Sequence, residues 1–383
     1  MSNVKTKKII IPLTAFFFIL ALLQVVLGVG NVLRQRELID FSVYYQYTKL
    51  FLNGGNPYLI AEKTPIPLNY PPSFLLFFSP FTFLSQFPAQ IFFTLTSLAA
   101  LLYASNFLLC FFRFPLPVRL LLLSLLLQNF PTKFTLVLGQ VNLIILFLVV
   151  LSWLSCQKRQ QVISGLFWGL SILIKPLTLP LFLYFLIKKK FTTIITASVL
   201  IVITNCLMIF LFPYLGAYLS ERLPYLFSQT ATVANLYDQS LRAFLIRIGV
   251  DGYLYSIVTA ALLYIAAIIN YLRQKGGFDS KLRDLTFFSL ILAITTAGSS
   301  FTWQHHLVFL FPGFIAETIY FLRSKSTIRG IILATSATLV GYHFPDIAHP
   351  PTTNPIFISH SLIGTLILIG LLLTHRKSIK RRI

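Results

Sequence analysis

The stretch NVLRQRELIDFSVYYQYTKLFLNGGNPYLIAEKTPIPLNYPP, residues 31–72, carries the strongest signal for the fold of this chain. It is the longest polar interval after the first hydrophobic run, and three of the chain's ten acidic residues fall in it: Glu37, Asp40 and Glu62. An acid, a cluster of tyrosines and rigid proline turns lie closer together here than a simple connector requires. The stretch therefore predicts that Asp40 is a catalytic base held just outside a membrane.

The composition around this stretch is that of a polytopic membrane protein. Of the 383 residues, 56% are hydrophobic and only 11% are charged, and the mean hydropathy is +0.81. Apolar runs long enough to cross about 30 Å of hydrocarbon recur along the chain. The formal net charge of +21 could suggest a nucleic-acid partner. The basic residues, however, fall in short tracts between hydrophobic runs, as positive-inside topology predicts, so no nucleic-acid partner is expected.

Charge placement predicts twelve transmembrane helices with both termini in the cytoplasm. Three lysines precede the first hydrophobic run, so residues 31–72 should reach the opposite, non-cytoplasmic side. The basic tracts then fall on the cytoplasmic side and most acids on the other. The predicted spans are 9–30, 88–112, 116–131, 139–155, 162–174, 176–187, 192–213, 253–272, 284–300, 305–322, 328–341 and 356–374.

Two further segments are predicted to lie at the membrane surface. Residues 40–53 show aromatic and polar residues at helical spacing and end at Asn53-Gly54-Gly55, which is typical of an amphipathic surface helix with a C-terminal turn. Residues 73–84 are apolar but too short to cross, and this favours a re-entrant or interfacial segment. We therefore expect an all-α polytopic membrane protein, with the following organisation: a single integral membrane domain over 1–383 and long outer loops at 31–72 and 214–252.

Polar residues recur at the predicted outer ends of the helices, where groups at membrane depth usually mark a function. Two of the candidates have a structural alternative. Asp40 could cap a helix, and Lys175 could extend its amine to the membrane interface. The residues predicted to bind substrate beside Asp40 are Tyr44, Tyr45, Tyr70, Gln140, Asn142, Lys175, Gln239, Arg242, Trp303, His305 and His306.

Arg242 and the histidine pair have alternatives as well. Arg242 could instead form a surface ion pair with Asp238 or Asp251, which would contribute little to stability. Adjacent residues on a helix point about 100° apart, so His305 and His306 are poorly placed to ligate one metal. They predict hydrogen bonds to a phosphate or an acid, and no metal site. No cofactor is expected, because the sequence holds no nucleotide-binding glycine motif, HExxH or GxSxG.

Six motifs follow one another along the chain: DFSVYYQYTKLFLNGGNPY (40–58), NYPP (69–72), GQVN (139–142), IKP (174–176), DQSL (238–241) and WQHH (303–306). In this order they resemble glycosyltransferase family 87, whose members are membrane-embedded enzymes of the GT-C type similar to polyprenyl-phosphate-mannose-dependent mannosyltransferases. The resemblance implies a GT-C fold, a lipid-phosphate sugar donor, inversion at the anomeric carbon, and Asp40 as the base. The sequence departs from the family pattern at Asp238, where Asn is expected, and at Ser299-Ser300, where Ser-Pro is common.

The sequence thus predicts an inverting glycosyltransferase of the cell envelope. It would move a hexose, with mannose as the leading candidate, from a polyprenyl-phosphate donor to a lipid or glycan acceptor at the outer face of a bacterial plasma membrane, among membrane lipids. The alternative is a lipid or saccharide transporter or flippase, in which Asp40 couples transport or caps a helix. That alternative is weaker because the carboxylates Asp284 and Glu317 lie near predicted cytoplasmic ends, so no proton-relay chain crosses the bilayer.

Overall fold

The computed structural model describes residues 2–33, 37–59, 68–225, 237–274, 279–343 and 354–375, and these are almost entirely helical or in short turns. Glu62, one of the three acids in the stretch 31–72, lies outside the described residues. The chain divides into two compact units, each described by itself below. The first comprises residues 1–154, 166–175 and 197–224, and the second comprises 155–165, 176–196 and 225–383.

Many of the described α-helices are joined by short connections, several of them in 3₁₀ conformation. In chain order they are α1 (Ser2–Leu33), α2 (Ile39–Leu52), α3 (Pro72–Phe78), α4 (Gln86–Phe111), α5 (Leu116–Gln128), α6 (Phe130–Leu138), α7 (Asn142–Gln157), α8 (Gln161–Ile174), α9 (Leu181–Ile187), α10 (Phe191–Leu211), α11 (Leu241–Arg247), α12 (Gly252–Arg273), α13 (Ser280–Gly298), α14 (Phe311–Ser324), α15 (Thr327–Gly341), α16 (Pro355–Ile358) and α17 (His360–Leu373). The 3₁₀ segments are Ser79–Phe83, Pro176–Thr178, Pro213–Gly216 and Gln304–Leu310, and Tyr218–Arg222 forms a π-helical turn.

The hydrophobic runs predicted most of these helix bounds to within a few residues. The predicted spans 162–174 and 253–272, for example, correspond to α8 and α12. The prediction for 116–131 is wrong at its C-terminal end, because the helix breaks at Asn129 and α5 and α6 meet at 57°. Pro131 accounts for the break: inside a continuous helix its ring would clash with a carbonyl one turn earlier, whereas the first turn of a new helix accepts it.

Four helices among the described residues are long and apolar enough to cross a membrane. The bent pair of α5 and α6 makes a fifth if it is counted as one span, and several other apolar helices are shorter. These helices indicate an integral membrane protein, while the twelve-span topology and its orientation stay predictions. The four are Gln86–Phe111, Phe191–Leu211, Gly252–Arg273 and Gln304–Ser324.

An aromatic core fixes α2 within the first unit. The Phe41 ring lies 5.4 Å from the rings of both Phe78 in α3 and Phe93 in α4, measured between centroids. Tyr44 packs edge-on against Phe74 at 4.9 Å, and all five side chains are almost completely buried. Truncating one such ring typically costs about 3–5 kcal/mol. The helix predicted at 40–53 is therefore present and firmly packed, and its location on a membrane surface stays a prediction.

Among the residues that the structure describes, seven helix ends share one backbone geometry, in which a residue at or just past the end has a positive φ and its N–H bonds back to the last turn. Glycine adopts this conformation without steric cost, whereas other residues lose roughly 1–2 kcal/mol. Three of the seven are glycine, and the other four are exposed basic residues. The glycines are Gly54, Gly139 and Gly249, and the basic residues are Arg113, Arg159, Lys189 and Lys325.

Candidate functional site

Asp40 lies in the first turn of α2 but does not cap the helix. The N-cap position belongs to Leu38, and no side chain caps this end. The Asp40 carboxylate instead accepts a hydrogen bond from Nε2 of Gln140, at 2.8 Å from its Oδ2. The capping alternative is therefore excluded, and the carboxylate belongs to a side-chain network that joins α2 to the turn before α7.

Gln140 is held in one orientation by two tyrosines. Its Oε1 accepts hydrogen bonds from the hydroxyls of Tyr44 at 2.9 Å and Tyr70 at 3.1 Å, and the two hydroxyls lie 2.6 Å apart. Because the amide oxygen takes both donors, the amide nitrogen must face Asp40. The motifs that supply these residues are separated by up to 100 positions in the chain, yet they form a single hydrogen-bonded group.

Lys175 supplies a positive charge to this group. Its Nζ donates to Oδ1 of Asn142 at 3.4 Å and lies 5.6 Å from the centre of the Tyr70 ring. Burial raises the pKa of Asp40, and the Gln140 hydrogen bond and the charge of Lys175 partly offset that rise. A carboxylate with a raised pKa holds a transferred proton more readily than an ordinary aspartate, so the arrangement favours a general base.

Gly139 lets α2 and the turn before α7 approach closely. It has a φ of +71°, and a Cβ built on it would lie 2.6 Å from Cβ of Phe41 and 3.1 Å from Cβ of Leu38. A side chain at this position would therefore push against the residue next to Asp40. The glycine of the GQVN motif thus has a physical reason, which is to bring Gln140 within hydrogen-bonding distance of Asp40.

Sequence reasoning missed two residues that hold the NYPP segment in place. Arg222, which is almost fully buried, donates from Nε to Oδ1 of Asn69 at 3.1 Å. The hydroxyl of Tyr58 donates to the carbonyl oxygen of Tyr70 at 3.0 Å, and its ring lies 5.3 Å from that of Tyr218. Arg222 lies in the predicted outer loop 214–252, but no motif or spacing in the sequence around it predicts its contact with Asn69.

Tyr45 is the predicted residue of this region that lies apart from the Asp40 network. Its hydroxyl donates to the carbonyl oxygen of Leu84 at 2.8 Å, and the Lys49 amine lies 5.1 Å from its ring centre. The ring also stacks on Phe41. This placement favours a role in packing α2 against the segment that follows α3.

The remaining residues predicted to bind substrate lie in the second unit, where Arg242 forms an ion pair with Asp238. Its Nη2 lies 3.1 Å from Oδ2 of Asp238, and both side chains are at most 1% exposed. The alternative in which Arg242 pairs with Asp238 is therefore confirmed, but its location at the surface is wrong, because the pair is buried. Oδ1 of Asp238 also accepts backbone N–H groups of Ser240 and Thr302, each at 3.0 Å. Asp in place of the Asn of the family pattern thus supplies the charge that Arg242 requires.

The WQHH motif lies beside this pair. Asp238 and Trp303 form an isolated antiparallel bridge, and the Gln239 side chain donates to the Ile358 carbonyl at 2.9 Å. His305 and His306 are buried with ring centres 4.3 Å apart, and Nδ1 of His306 accepts the backbone N–H of Trp303 at 3.1 Å. Within the described part of the chain, the buried indole N–H of Trp303 has no hydrogen-bond acceptor, which is costly unless a ligand supplies one.

Comparison with known proteins follows the same motifs. The model of glycosyltransferase family 87 matches residues 68–337, which is more than two thirds of the chain. The chain belongs to glycosyltransferase family 87. The match includes Tyr70, Gln140, Lys175 and the WQHH motif, while Asp40 precedes it.

The names of three curated relatives refer to two kinds of sugar, arabinofuranose and mannose. An alpha-(1->3)-arabinofuranosyltransferase of Corynebacterium glutamicum is 29% identical over 51% of this chain and 48% of its own length. The enzyme of that name from Mycobacterium tuberculosis is 32% identical over 49% and 45%. A polyprenol-phosphate-mannose-dependent alpha-(1-2)-phosphatidylinositol mannoside mannosyltransferase of M. tuberculosis is 26% identical over 79% and 75%. The chain thus spans about half the length of the arabinofuranosyltransferases and three quarters of the mannosyltransferase.

Proposed function

We propose that this family 87 protein is an inverting glycosyltransferase that moves a sugar from a polyprenyl-phosphate donor to a lipid or glycan acceptor, with Asp40 as the general base. The observation that carries the proposal is the network in which Gln140 orients the Asp40 carboxylate and Lys175 supplies a cation. A hexose is the proposed sugar, with mannose first, since the mannosyltransferase relative matches 79% of this chain.

The chemistry of such a transfer assigns a role to each part of the network. The acceptor hydroxyl oxygen bonds to the anomeric carbon while the bond from that carbon to the donor's phosphate oxygen breaks, which inverts the configuration. The hydroxyl proton passes to Asp40, which must lie within about 3 Å in the reacting complex. The departing polyprenyl phosphate gains negative charge, and the amine of Lys175 stabilises that charge.

Buried groups of the second unit are proposed to bind sugar or acceptor. The indole N–H of Trp303 is suited to a sugar hydroxyl, because such a donor gains an acceptor only when ligand is present. His305 and His306 are proposed to hydrogen-bond a phosphate or hydroxyl. Arg242, whose charge is matched by Asp238, is proposed to shape the site through that pair, and Gln239 through its bond to the chain near α17.

The site is proposed to face the non-cytoplasmic side of the membrane, with both termini in the cytoplasm. The support comes from the charge distribution, since basic tracts follow α4, α7, α9 and α14 while the Asp40 loop holds three of the chain's ten acids. A donor whose prenyl chain lies in the bilayer presents its phosphate at the interface, where α2 is proposed to lie.

The decisive experiment compares wild-type protein with Asp40→Asn in lipid nanodiscs. The donor panel contains polyprenyl-phosphate mannose, other polyprenyl-phosphate hexoses and polyprenyl-phosphate arabinofuranose, with a crude lipid and glycan extract as acceptor. We expect a labelled glycoside from wild type and none from Asp40→Asn. Transfer from the arabinofuranose donor alone would change the proposed sugar and leave the mechanism standing.

A matched control is Asp251→Asn. Asp251 is exposed and caps α12 by accepting the N–H groups of Tyr253 and Leu254, and Asn caps helices about as well as Asp. This variant should keep both fold and activity. Normal turnover in Asp40→Asn would eliminate Asp40 as the base. Movement of labelled lipid or saccharide across sealed vesicles, with no new glycosidic bond, would favour the transporter alternative.

A further inference from the structure

The segment Pro213–Arg222 of the first unit holds the chain that follows α2. The side-chain amide of Asn56 donates to the carbonyl oxygen of Tyr214 at 3.1 Å, and the ring of Tyr58 lies 5.3 Å from that of Tyr218. The segment ends in the π-helical turn described above, and turns of this kind are rare and frequently found at functional sites. Its contacts therefore reach toward the part of the chain that supplies Asp40.

Arg222, the last residue of this turn, binds one atom of the NYPP motif with two donors. Its Nε lies 3.1 Å from Oδ1 of Asn69, and its Nη2 donates to the same oxygen. Arg222 is only 3% exposed, whereas Asn69 is exposed. Because the donors of a guanidinium group lie in one rigid plane, two of them on one oxygen restrain that oxygen more closely than a single flexible donor would. The buried arginine thus fixes the exposed asparagine.

Tyr70 carries this restraint into the Asp40 network, because it directly follows Asn69 in the chain. Its carbonyl oxygen accepts the hydroxyl of Tyr58 at 3.0 Å, so its backbone is held on that side as well. Its own hydroxyl donates to Oε1 of Gln140 at 3.1 Å, and Nε2 of the same amide donates to Asp40. A shift of this backbone would therefore move the Tyr70 hydroxyl and release the amide from its orientation.

We propose that Arg222 is a positioning residue for the reaction at Asp40. By fixing Asn69 it sets the point at which the Tyr70 hydroxyl meets Gln140, and so the direction in which the amide faces the carboxylate. This role rests on the proposed function, in which Asp40 is the base, and it requires no contact between Arg222 and substrate.

Two simpler roles for Arg222 lead to different results. If it only stabilises the loop, its replacement lowers the unfolding temperature and leaves the titration of Asp40 unchanged. If its charge acts on Asp40 directly, the effect of removing that charge adds to the effect of Gln140→Met. If it acts by position, the two effects are not additive, because both pass through the same amide.

The test measures the titration of the Asp40 carboxyl by solid-state NMR of the full chain in lipid, with ¹³C-labelled aspartate and the signal assigned by its loss in Asp40→Asn. Gln140→Met removes a hydrogen bond to the carboxylate, so the titration midpoint should rise by about one pH unit. Arg222→Met should raise it in the same direction. The double variant should titrate no higher than Gln140→Met alone.

Sugar transfer provides a second reading of the same variants. For Arg222→Met, kcat should fall by up to about 100-fold with little change in KM, and the acidic limb of the pH profile should shift as the NMR midpoint does. Among the described residues, the other ionisable groups that act on the Asp40 carboxylate are Tyr44, Tyr70 and Lys175, and these variants leave all three in place.

Asn69→Ala separates position from charge, and it decides the matter if Arg222→Met does not fold. It removes the acceptor oxygen and keeps the charge of Arg222, so it should raise the Asp40 midpoint as Arg222→Met does. The matched control is Arg119→Met in the same unit. Arg119 also donates to an asparagine oxygen, Oδ1 of Asn106 at 3.2 Å, but that pair joins α5 to α4. This variant should titrate as wild type does.

An Asp40 midpoint that neither Arg222→Met nor Asn69→Ala changes would overturn the proposal and leave Arg222 a role in stability alone. A shift in Arg222→Met that Asn69→Ala lacks, or that adds to the shift of Gln140→Met, would overturn it in favour of a direct effect of charge. Shifted midpoints in a protein that transfers no sugar would keep the positioning of Asp40 and reject the proposed activity. Transfer with an unchanged pH profile in both variants would keep the activity and reject the positioning.

Discussion

Replacing Gly139 with alanine tests how closely the Asp40 network is packed. The added Cβ would lie 2.6 Å from Cβ of Phe41, whereas carbon atoms in contact prefer about 3.5–4.0 Å. The turn before α7 and the start of α2 must therefore separate by about 1 Å. Such a displacement should lengthen the bond from Gln140 to Asp40, whose donor and acceptor are now 2.8 Å apart.

The chain provides a matched control in Gly54. It also has a positive φ, +81°, at the end of a helix, but no atom lies within 4 Å of the Cβ that alanine would add. Gly54→Ala should therefore lose only the backbone term of roughly 1–2 kcal/mol. Gly139→Ala should lose that amount and a further 1–3 kcal/mol from overpacking.

The assay is thermal unfolding of both variants in nanodiscs, followed by sugar transfer at equal amounts of folded protein. Gly139→Ala should unfold at a lower temperature than Gly54→Ala. Its turnover should fall about 100-fold, because a 1 Å misplacement of a catalytic group costs about that much, while Gly54→Ala should retain turnover. Equal losses of stability and activity in the two variants would refute the argument that Gly139 is needed for the close approach.

Three further outcomes are expected. Burial raises the pKa of Asp40, and its carboxylate must be ionised to accept a proton, so kcat/KM should fall as pH drops through that raised pKa. Gln140→Met removes a hydrogen bond that lowers the pKa of Asp40 and should therefore move the acidic limb of the pH profile to higher pH. A limb that does not shift would mean that it reports the titration of another group. Trp303→Phe should raise KM and leave the unfolding temperature unchanged, since the lost N–H has no acceptor in the described part of the protein; a large loss of stability would mean that the ring is structural. Arg159→Gly should raise the free energy of unfolding by about 1 kcal/mol, because φ is +63° there, whereas Lys158→Gly beside it should not; destabilisation by both would contradict the strain argument.

Local features could be predicted from the sequence and distant pairings could not. The bounds of α8 and α12 follow hydrophobic runs and turn residues, which act over a few positions. The break at Asn129 was missed because a continuous apolar run masked the effect of Pro131 two residues later. Hydropathy measures transfer to lipid and is insensitive to a lost backbone hydrogen bond.

The same contrast between local features and distant pairings holds for the candidate site. Sequence order marked Asp40, Gln140 and Lys175 separately as unusual polar residues, but only the packed helices show that one amide links the carboxylate to the tyrosine hydroxyls. Tyr45 belongs to the tyrosine cluster that follows Asp40 in the sequence, but adjacent residues on a helix point in different directions, and its hydroxyl bonds elsewhere. Arg222 was missed because its contact with Asn69 joins positions 153 residues apart.

The left-handed helix ends bear on the orientation of this protein in the membrane, because the residue type at these turns differs between the two predicted sides. Each glycine of this kind lies at an end that we place outside the cell, and each lysine or arginine at an end that we place inside. The segregation joins two independent properties, the positive φ of the turn and the charge of the residue that adopts it. The residue type at these turns would therefore serve as a second marker of topology beside the overall charge count.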